Sequence, residues 1–327
     1  MATLYPLKFM PRLKEKIWGG NKIETILKHK IRPLRNCGES WEISGLLGEE
    51  SVVTNGFLAD NNLNELMEIY LTDLVGEKNY DKYGLGFPLL IKFIDAQTNL
   101  SVQVHPDDTL AQELYGQNGK TEMWHVIQAD EGAGLYIGFN QKVTENQYLN
   151  AVEEGTLESL LKFHPVKAGD TFMIPAGTVH AIGKGVLLAE IQQPSDITFR
   201  IFDWNRVDEN GMPRELHTEE ALHAIHFEEN VGDFQAQYTP EMNKTVTLVH
   251  SPYFNANLII MDMQVQKSFL QLDSFVIYIC LEGSAILTTD SKKELIEKGE
   301  VVLIPAEMEQ LQIIPNVKTR LIEVYCS

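Results

Sequence analysis

Cysteine and long apolar stretches are scarce in this sequence. Only three cysteines occur in 327 residues, Cys37, Cys280 and Cys326, and none belongs to a CxxC pair. Neither a disulfide framework nor a thiolate zinc site is therefore indicated. No apolar run approaches the roughly 20 residues that span a bilayer, and residues 1–12 lack the features of a signal peptide. We expect a cytoplasmic protein with reduced thiols and no membrane partner.

Positive charge is also scarce. Lys and Arg number 27 against 46 Asp and Glu, which gives a formal net charge of −19. We expect no nucleic acid partner, because nucleic acids and anionic membranes both select basic surfaces. An anionic small molecule is compatible with this charge if a local cluster of Lys, Arg or backbone N–H groups meets it.

Short β-rich runs separated by Gly, Pro, Asn and Asp dominate the chain. They predict a mainly β protein, a sandwich or barrel, with a few inserted helices. The predicted strands are Trp41–Ser44, Leu89–Ile94, Leu100–Val104, Met123–Gln128, Gly134–Phe139, Thr171–Ile174, Val186–Ile191 and Thr198–Phe202. The predicted helices run from Leu63 to a stop at Gly76, from Asp107 to Leu114, from Thr144 towards Leu161, and from Thr218 to His226.

An eight-residue repeat relates two parts of the chain. Residues Gly169–Ala176 and Gly299–Ala306 both read as a turn, a strand and a Pro-marked turn. The first copy leads to His180, whereas the matching position after the second is Gln310. We therefore expect two related β-barrel modules. Residues 1–235 would carry the helical insertions and the active site, and residues 240–327 would lack a metal site.

Two histidines and one glutamate lie near predicted strand ends. Gln103 and His105 share one face of a strand because side chains alternate, and Lys120 and Glu122 share a face of the next. His180 follows a Pro/Gly turn. Two His, one Glu and an amide oxygen form a plausible metal site that suits catalytic zinc. The same ligand types also suit iron, manganese or cobalt.

Each of these residues has a structural alternative when it is considered alone. A single His near a strand end is more often structural than a ligand, and Glu122 alone is compatible with a surface charge. His125 is interpreted as a core or edge histidine, and His217, His223 and His226 as parts of a surface helix. The prediction of a metal site therefore depends on the combination.

The combined pattern resembles two sets of known motifs. Residues 169–180 fit G-(x)5-P-x-G-x-x-H, which resembles the second metal-binding motif of the cupins. The ordered segments Ser101–Asp107, Lys120–Trp124, Thr178–Ala181 and Glu190–Arg200 resemble the type I mannose-6-phosphate isomerase family, closest to its short bacterial branch. Two departures occur: Thr121 stands at the family's usual Pro, and Ile197 and Phe202 stand at its usual Asn and Gly. Residues 16–20 and 38–42 resemble the family's N-terminal signatures.

The resemblance implies a fold, an activity and a set of site residues. The implied fold is the double-stranded β-helix, or jelly roll, of the cupins. The implied activity interconverts mannose 6-phosphate and fructose 6-phosphate through a cis-enediol, with one Zn²⁺ per chain. The implied metal ligands are His105, Glu122 and His180, with Gln103 as a fourth; the implied catalytic residues are Arg200, Lys120 and Glu190; and Ser101 and Lys92 would lie near the substrate phosphate.

These residue types fit the chemistry of aldose–ketose isomerisation. The reaction needs a base for a carbon-bound proton and positive charge for the developing oxyanion, and a metal can act as Lewis acid and template. Lys120 and Arg200 would provide positive charge, and either Glu190 or a metal-held hydroxide would be the base. Taken alone, Arg200 also fits a structural ion pair, and Lys92 fits a side chain that extends to solvent.

Two other functions are compatible with parts of the pattern. An iron-dependent oxygenase would also use two His and one carboxylate, and activity without O₂ would exclude it. A sugar-phosphate sensor would keep the barrel but lack turnover, and binding without reaction would reveal it. The sequence does not indicate an oligomeric state.

Overall fold

The computed structural model describes residues 3–29, 34–207, 210–289 and 292–326, and strands dominate it. The first twelve strands are β1 (Leu7–Lys8), β2 (Arg12–Gly20), β3 (Cys37–Ile43), β4 (Leu90–Ala96), β5 (Val102–Val104), β6 (Glu122–Ala129), β7 (Gly134–Phe139), β8 (Leu161–Pro165), β9 (Thr171–Ile174), β10 (His180–Ile182), β11 (Val186–Gln192) and β12 (Phe199–Phe202). The remaining strands are β13 (Lys244–His250), β14 (Asn255–Met261), β15 (Val265–Ser268), β16 (Val276–Glu282), β17 (Ser284–Thr288), β18 (Lys293–Glu297), β19 (Val301–Ile304), β20 (Gln310–Pro315) and β21 (Thr319–Tyr325). The predicted mainly β architecture is confirmed.

Within the described ranges, seven α-helices interrupt the strands, and all of these precede residue 240. They are α1 (Lys22–Thr25), α2 (Leu63–Tyr70), α3 (Thr72–Val75), α4 (Glu77–Tyr83), α5 (Asp108–Tyr115), α6 (Glu145–Glu153) and α7 (Thr218–Ala224). None of the helices in the described parts of the chain is long and apolar enough to cross a membrane.

Local sequence signals explain where most helices begin. Asp107 accepts a hydrogen bond from the backbone N–H of Leu110 at the start of α5, and a capping box opens α6 at Thr144. Helix α6 ends at Glu153, short of the predicted Leu161, because a 3₁₀ turn intervenes and β8 begins at Leu161. The single helix predicted up to Gly76 is divided into α2 and α3 by Leu71, whose φ of 47° is not helical.

The strands form four antiparallel sheets in two regions of the chain. In the N-terminal region, the six-stranded sheet β2-β3-β4-β11-β6-β9 and the five-stranded sheet β12-β5-β10-β7-β8 enclose a core that includes Trp124, Ile137 and Leu188. In the C-terminal region, the sheets are β1-β19-β16-β21-β14-β13 and β15-β20-β17-β18. Strand β1 thus joins the C-terminal sheet through Leu7 opposite Leu303.

The repeated segments adopt the same local structure. Gly169 and Gly299 both have positive φ, 95° and 87°, which glycine adopts readily. The backbone N–H of Gly169 donates to Val126 O, and that of Gly299 donates to Cys280 O. Strands β9 and β19 then follow and each ends before a proline. The repeat in the sequence therefore corresponds to a repeat of turn and strand.

Candidate metal centre and active site

Three strands bring the predicted metal ligands together. His180 begins β10 directly opposite Gln103 on β5, and Glu122 begins β6. The distance from Glu122 Oε2 to His105 Nε2 is 3.6 Å, and that from Glu122 Oε1 to His180 Nε2 is 3.5 Å. The ligand atoms of these three residues lie within 4.8 Å of one another. No other set of three or more His, Cys, Asp or Glu side chains among the described residues is compact enough to hold a metal ion.

Both imidazoles are arranged as neutral ligands. His105 Nδ1 lies 2.9 Å from the carbonyl oxygen of Ile197, and His180 Nδ1 lies 2.8 Å from that of Thr178. Because a carbonyl only accepts, each Nδ1 carries the proton and each Nε2 presents a lone pair. Burial, reinforced by Lys120, lowers the pKa of His105 well below its usual value, and burial lowers the pKa of His180 to about 4.

The carboxylate of Glu122 has the environment expected of a metal ligand. Both of its oxygens are buried; Oε2 forms an ion pair with Lys120, and Oε1 has no hydrogen-bond partner among the described residues. Burial raises the pKa of Glu122, and the nearby Lys120 ammonium opposes this effect. That ammonium lies 3.0 Å from His105 Nε2 and 3.2 Å from Glu122 Oε2, so a cation already sits beside the cluster. Two neutral imidazoles and one buried carboxylate with an unpaired oxygen fit a divalent ion such as zinc.

Gln103 reaches the same cluster. Its Nε2 lies 3.3 Å from His180 Nε2. The amide nitrogen donates and the amide oxygen accepts, so half a turn of the amide would direct Oε1 to the same place. The fourth predicted ligand is therefore adjacent to the other three.

Beside the cluster lies a buried acid–base pair. Glu190 on β11 is opposite Lys92 on β4, and Lys92 Nζ lies 3.1 Å from Glu190 Oε2. Trp124 Nε1 donates to Glu190 Oε1 at 3.0 Å, and Lys92 Nζ donates to Gln192 at 2.6 Å. Burial would raise the pKa of Glu190, yet Lys92 and then Lys120 outweigh burial and lower it. Lys92 is 5% exposed, so its side chain does not extend to solvent.

An open cavity of about 450 Å³ reaches Lys92 and Glu190, and it also reaches Gln103 and Lys120, which contact the predicted metal ligands. Its lining includes all the predicted catalytic and substrate-binding residues, together with Gln103. A larger cavity of about 610 Å³ lies elsewhere, against β17 and β18, and contains none of them. Since the buried cluster of acids, cations and imidazoles accompanies the smaller cavity, we assign the candidate active site there.

The cavity has a second group of polar residues that the sequence analysis did not assign. Lys14 and Lys16 on β2, Glu39 and Trp41 on β3, and Arg214 also line it. Side chains alternate along a strand, so Lys14 and Lys16 share one face of β2, and Glu39 and Trp41 share one face of β3. Lys16, Glu39 and Trp41 also belong to the segments that resemble the family's N-terminal signatures. The Lys92 ammonium lies 5.0 Å from the ring centroid of Trp41.

Arg200 lies on β12 at the edge of the cavity and is partly buried. Its Nη1 donates to the carbonyl of Glu215 at 2.7 Å, while its buried Nε has no hydrogen-bond partner among the described residues. Burial and the nearby Arg214 lower the pKa of Arg200. Arg200 has no carboxylate within ion-pair distance in the described part of the chain, so its charge remains available to a ligand.

The other histidines have different surroundings. His125 is buried, and its Nδ1 lies 2.8 Å from Thr171 Oγ1, which confirms the core interpretation. His217 precedes α7 and is more than a surface residue, because its Nδ1 accepts the backbone N–H of Arg200 at 3.1 Å. Its sequence position gave no sign of this contact, since His217 lies 17 positions after Arg200 in the chain.

The fold and the site define a cupin-type enzyme with a candidate metal centre. Residues 6–126 match the family model for the type I phosphomannose isomerase catalytic domain, and residues 244–326 match that for the mannose-6-phosphate isomerase cupin domain. The mannose-6-phosphate isomerase of Streptococcus mutans is 35% identical over 309 residues, 94% of each chain. The Bacillus subtilis enzyme ManA is 34% identical over 317 residues, 95% of this chain and 96% of ManA.

A solved structure agrees with these sequence relatives. The mannose 6-phosphate isomerase structure from Bacillus subtilis superimposes with a TM-score of 0.88 at 32% identity, over 98% of this chain and 99% of that chain. This chain belongs to the type I mannose-6-phosphate isomerase family. The predicted family and the predicted cupin fold are thereby confirmed.

Proposed function

We propose that this enzyme interconverts mannose 6-phosphate and fructose 6-phosphate through a cis-enediol, with one zinc ion per chain. The observation that carries the proposal is Glu122, whose buried oxygens face two neutral imidazole nitrogens. Its Oε2 forms an ion pair with Lys120, but its Oε1 has no hydrogen-bond partner among the described residues. Leaving a buried carboxylate oxygen without a hydrogen bond costs about 1–3 kcal/mol. A bound divalent cation would remove that cost.

His105, Glu122 and His180 would hold the ion, with Gln103 as a fourth ligand. When bound, it would supply Lewis acidity and a template for the sugar oxygens. The carbonyl groups of Ile197 and Thr178 fix the two imidazoles in the ligating tautomer. The protein therefore orients the ligands before the ion arrives.

The proton transfer between C1 and C2 is assigned to Glu190. Its carboxylate is kept ionised by Lys92 and oriented by the indole N–H of Trp124. An ionised carboxylate in the cavity wall can accept a carbon-bound proton and return it to the neighbouring carbon. Lys120 and Arg200 bring positive charge to the cavity, where the oxyanion develops.

The phosphate end of the sugar requires cations away from the metal cluster. We propose that Ser101 meets it, assisted by Arg214, because both line the cavity. The Lys92 ammonium already contacts Glu190 and Gln192. Its contribution to substrate binding is therefore largely to position Glu190.

We further propose that residues 1–235 carry the whole active site and that residues 240–327 are structural. All proposed site residues precede residue 215, which supports this division. A cytoplasmic location and the absence of nucleic acid partners remain predictions from the composition.

A coupled assay of mannose 6-phosphate conversion to fructose 6-phosphate tests the proposal. We expect turnover under nitrogen, and we expect unphosphorylated mannose to be a poor substrate. Arg200→Ala should lower kcat/KM by about 10²- to 10³-fold. Arg35→Ala, which removes an exposed arginine outside the cavity, is the control. Absence of turnover in zinc-loaded protein would refute the proposal.

A further inference from the structure

A second polar cavity lies behind the active site, between the two regions of the chain. It has a volume of about 420 Å³ and we call it the junction cavity. Strand β6 separates it from the active site, because Glu122 and Trp124 face the metal cluster whereas His125 faces the opposite way. The junction cavity is lined by His125, residues 167–170, residues 235–238, Pro240, Leu258, Ile260 and Arg320.

Arg320 on β21 is a cation without a partner in this cavity. Its buried Nε–H donates no hydrogen bond, and the guanidinium forms no ion pair or hydrogen bond with the described residues. Glu282, opposite Arg320 on β16, does not come within ion-pair distance. A partly buried guanidinium normally pairs with a carboxylate or an oxyanion. This one is left open towards the cavity.

His125 provides a second polar group with spare bonding capacity. It is 1% exposed, and Thr171 Oγ1 occupies only its Nδ1, at 2.8 Å. Because a hydroxyl can donate to Nδ1, His125 can present an N–H at Nε2 to a ligand. Tyr238 also lines the cavity, and its hydroxyl donates a hydrogen bond to the carbonyl of Gly169. Neighbouring groups thus hold His125 and Tyr238 in place, whereas Arg320 has no such partner.

The charge of the cavity differs from that of the whole protein. Its lining contains two cations, Lys167 and Arg320, and one acid, Asp170. The Asp170 carboxylate is occupied by a local turn, where it accepts the backbone N–H of Lys167 at 2.9 Å. In a chain with a net charge of −19, this is a locally positive environment. Arginine in such a setting suits the oxygens of a phosphate group.

We propose that the junction cavity binds a small phosphate-bearing metabolite or inorganic phosphate, as a site separate from the active site. Arg320 would provide a bidentate contact, His125 a hydrogen bond and Lys167 a mobile cation at the rim. The two cavities share no lining residue. Binding here would also bridge β6, which carries Glu122, to the C-terminal strand β21.

Hydrogen–deuterium exchange with inorganic phosphate or glycerol phosphate as the probe separates the two sites. We expect either probe to protect residues 167–171 and 235–240 in the wild type. Arg320→Gln should weaken this protection by about tenfold or more in probe concentration, as expected for loss of a charge-assisted contact. Any protection of active-site residues 101–105 by the same probe should be equal in Arg320→Gln and in the wild type. Arg35→Gln makes the same change in charge outside the cavity. It should show the wild-type protection both in the junction cavity and in residues 101–105.

Without phosphate, Arg320→Gln should have the same melting temperature as the wild type, since the guanidinium has no partner among the described residues to lose. Stronger protection by glycerol phosphate than by phosphate would identify an ester as the ligand, and equal protection would identify the phosphate group alone. No protection of residues 167–171 and 235–240 in the wild type would overturn the proposal. So would protection that survives in Arg320→Gln. Neither result depends on isomerase turnover.

Discussion

Strand β9, which follows Gly169, pairs with β6, and strand β19, which follows Gly299, pairs with β16 in the same register. Only the first of these two pairs adjoins a candidate metal centre. In the N-terminal sheet Glu122 pairs with Ile174, and in the C-terminal sheet Val276 pairs with Ile304. The same correspondence relates His180, opposite Gln103, to Gln310, opposite Ser268. The counterparts of Gln103, Glu122 and His180 are therefore Ser268, Val276 and Gln310. The sheet does not require the ligands in order to form.

A buried glutamate is common to both regions. Glu190 pairs with Trp124 across β11 and β6, and Glu323 pairs with Tyr278 across β21 and β16. Each acid accepts a hydrogen bond from its aromatic neighbour, at 3.0 Å and 2.7 Å. The Glu323 carboxylate is also satisfied by Lys267 and Asn257. A buried acid alone is thus a structural feature, and the adjacent metal ligands distinguish the proposed active site.

The largest effect is expected when His180 is replaced by glutamine, the residue at the corresponding position 310 of the C-terminal region. His180→Gln should lower activity below detection, because it removes one of three strong ligands. The reciprocal change, Gln310→His, should leave metal content at one ion per chain, since Val276 offers no carboxylate there. Elemental analysis and the coupled assay measure both variants. A second ion bound by Gln310→His would contradict the comparison.

The two buried glutamates provide the next test. Glu190→Gln should lower kcat by about 10²- to 10⁴-fold, the range for loss of a proton-transferring group, with zinc content unchanged. Glu323→Gln is the matched control and should retain kcat, although it loses stability. If both variants retained activity, Glu190 would not be the base. If both lost activity equally while folded, the distinction between the regions would be wrong.

His125 differs from its counterpart Ile279 in its response to pH. Burial, with a smaller effect of Arg320, lowers the pKa of His125 to about 3, whereas the unfolded value is near 6.5. The unfolded chain therefore binds this proton first, so stability is lost as pH falls below 6.5. His125→Ile should reduce this loss by up to about 1.4 kcal/mol per pH unit. Urea unfolding at pH 7 and pH 5 compares the slopes, and equal slopes would contradict the assignment.

The smallest effect concerns the helices, which the C-terminal region lacks in its described residues. Thr144→Ala removes the cap of α6 and should lower the free energy of unfolding by about 1 kcal/mol. Activity should be unchanged, because α6 does not line the active-site cavity. Lys142→Ala breaks an exposed ion pair with Glu228 and should change stability by less than about 0.5 kcal/mol. Urea denaturation measures both variants.

The sequence predicted the parts of the fold that depend on local pattern. Strands β7 and β9 have the predicted bounds, and Thr144 caps a helix as expected. The pairing of distant strands was not predictable, because alternation shows which residues share a face but not which strand lies opposite. For this reason the joining of β1 to the C-terminal sheet was missed.

The same limit applies to the site. The residues of the metal cluster were found because their motifs are short and ordered along the chain. The roles of the Ile197 and Thr178 carbonyls were not found, since any residue provides a carbonyl. Lys14 and Lys16 were missed because they reach the cavity from β2, far from the metal motifs in sequence. Their strand alternation became informative only once β2 was known to border the cavity.

We propose that isomerisation depends on one metal ion held by His105, Glu122 and His180. The most direct test titrates EDTA-treated protein with zinc while metal content and the rate of mannose 6-phosphate conversion are measured together. We predict that activity rises with bound zinc and reaches its maximum at one ion per chain. Full activity in metal-free protein, or a maximum that requires a second ion, would contradict the account.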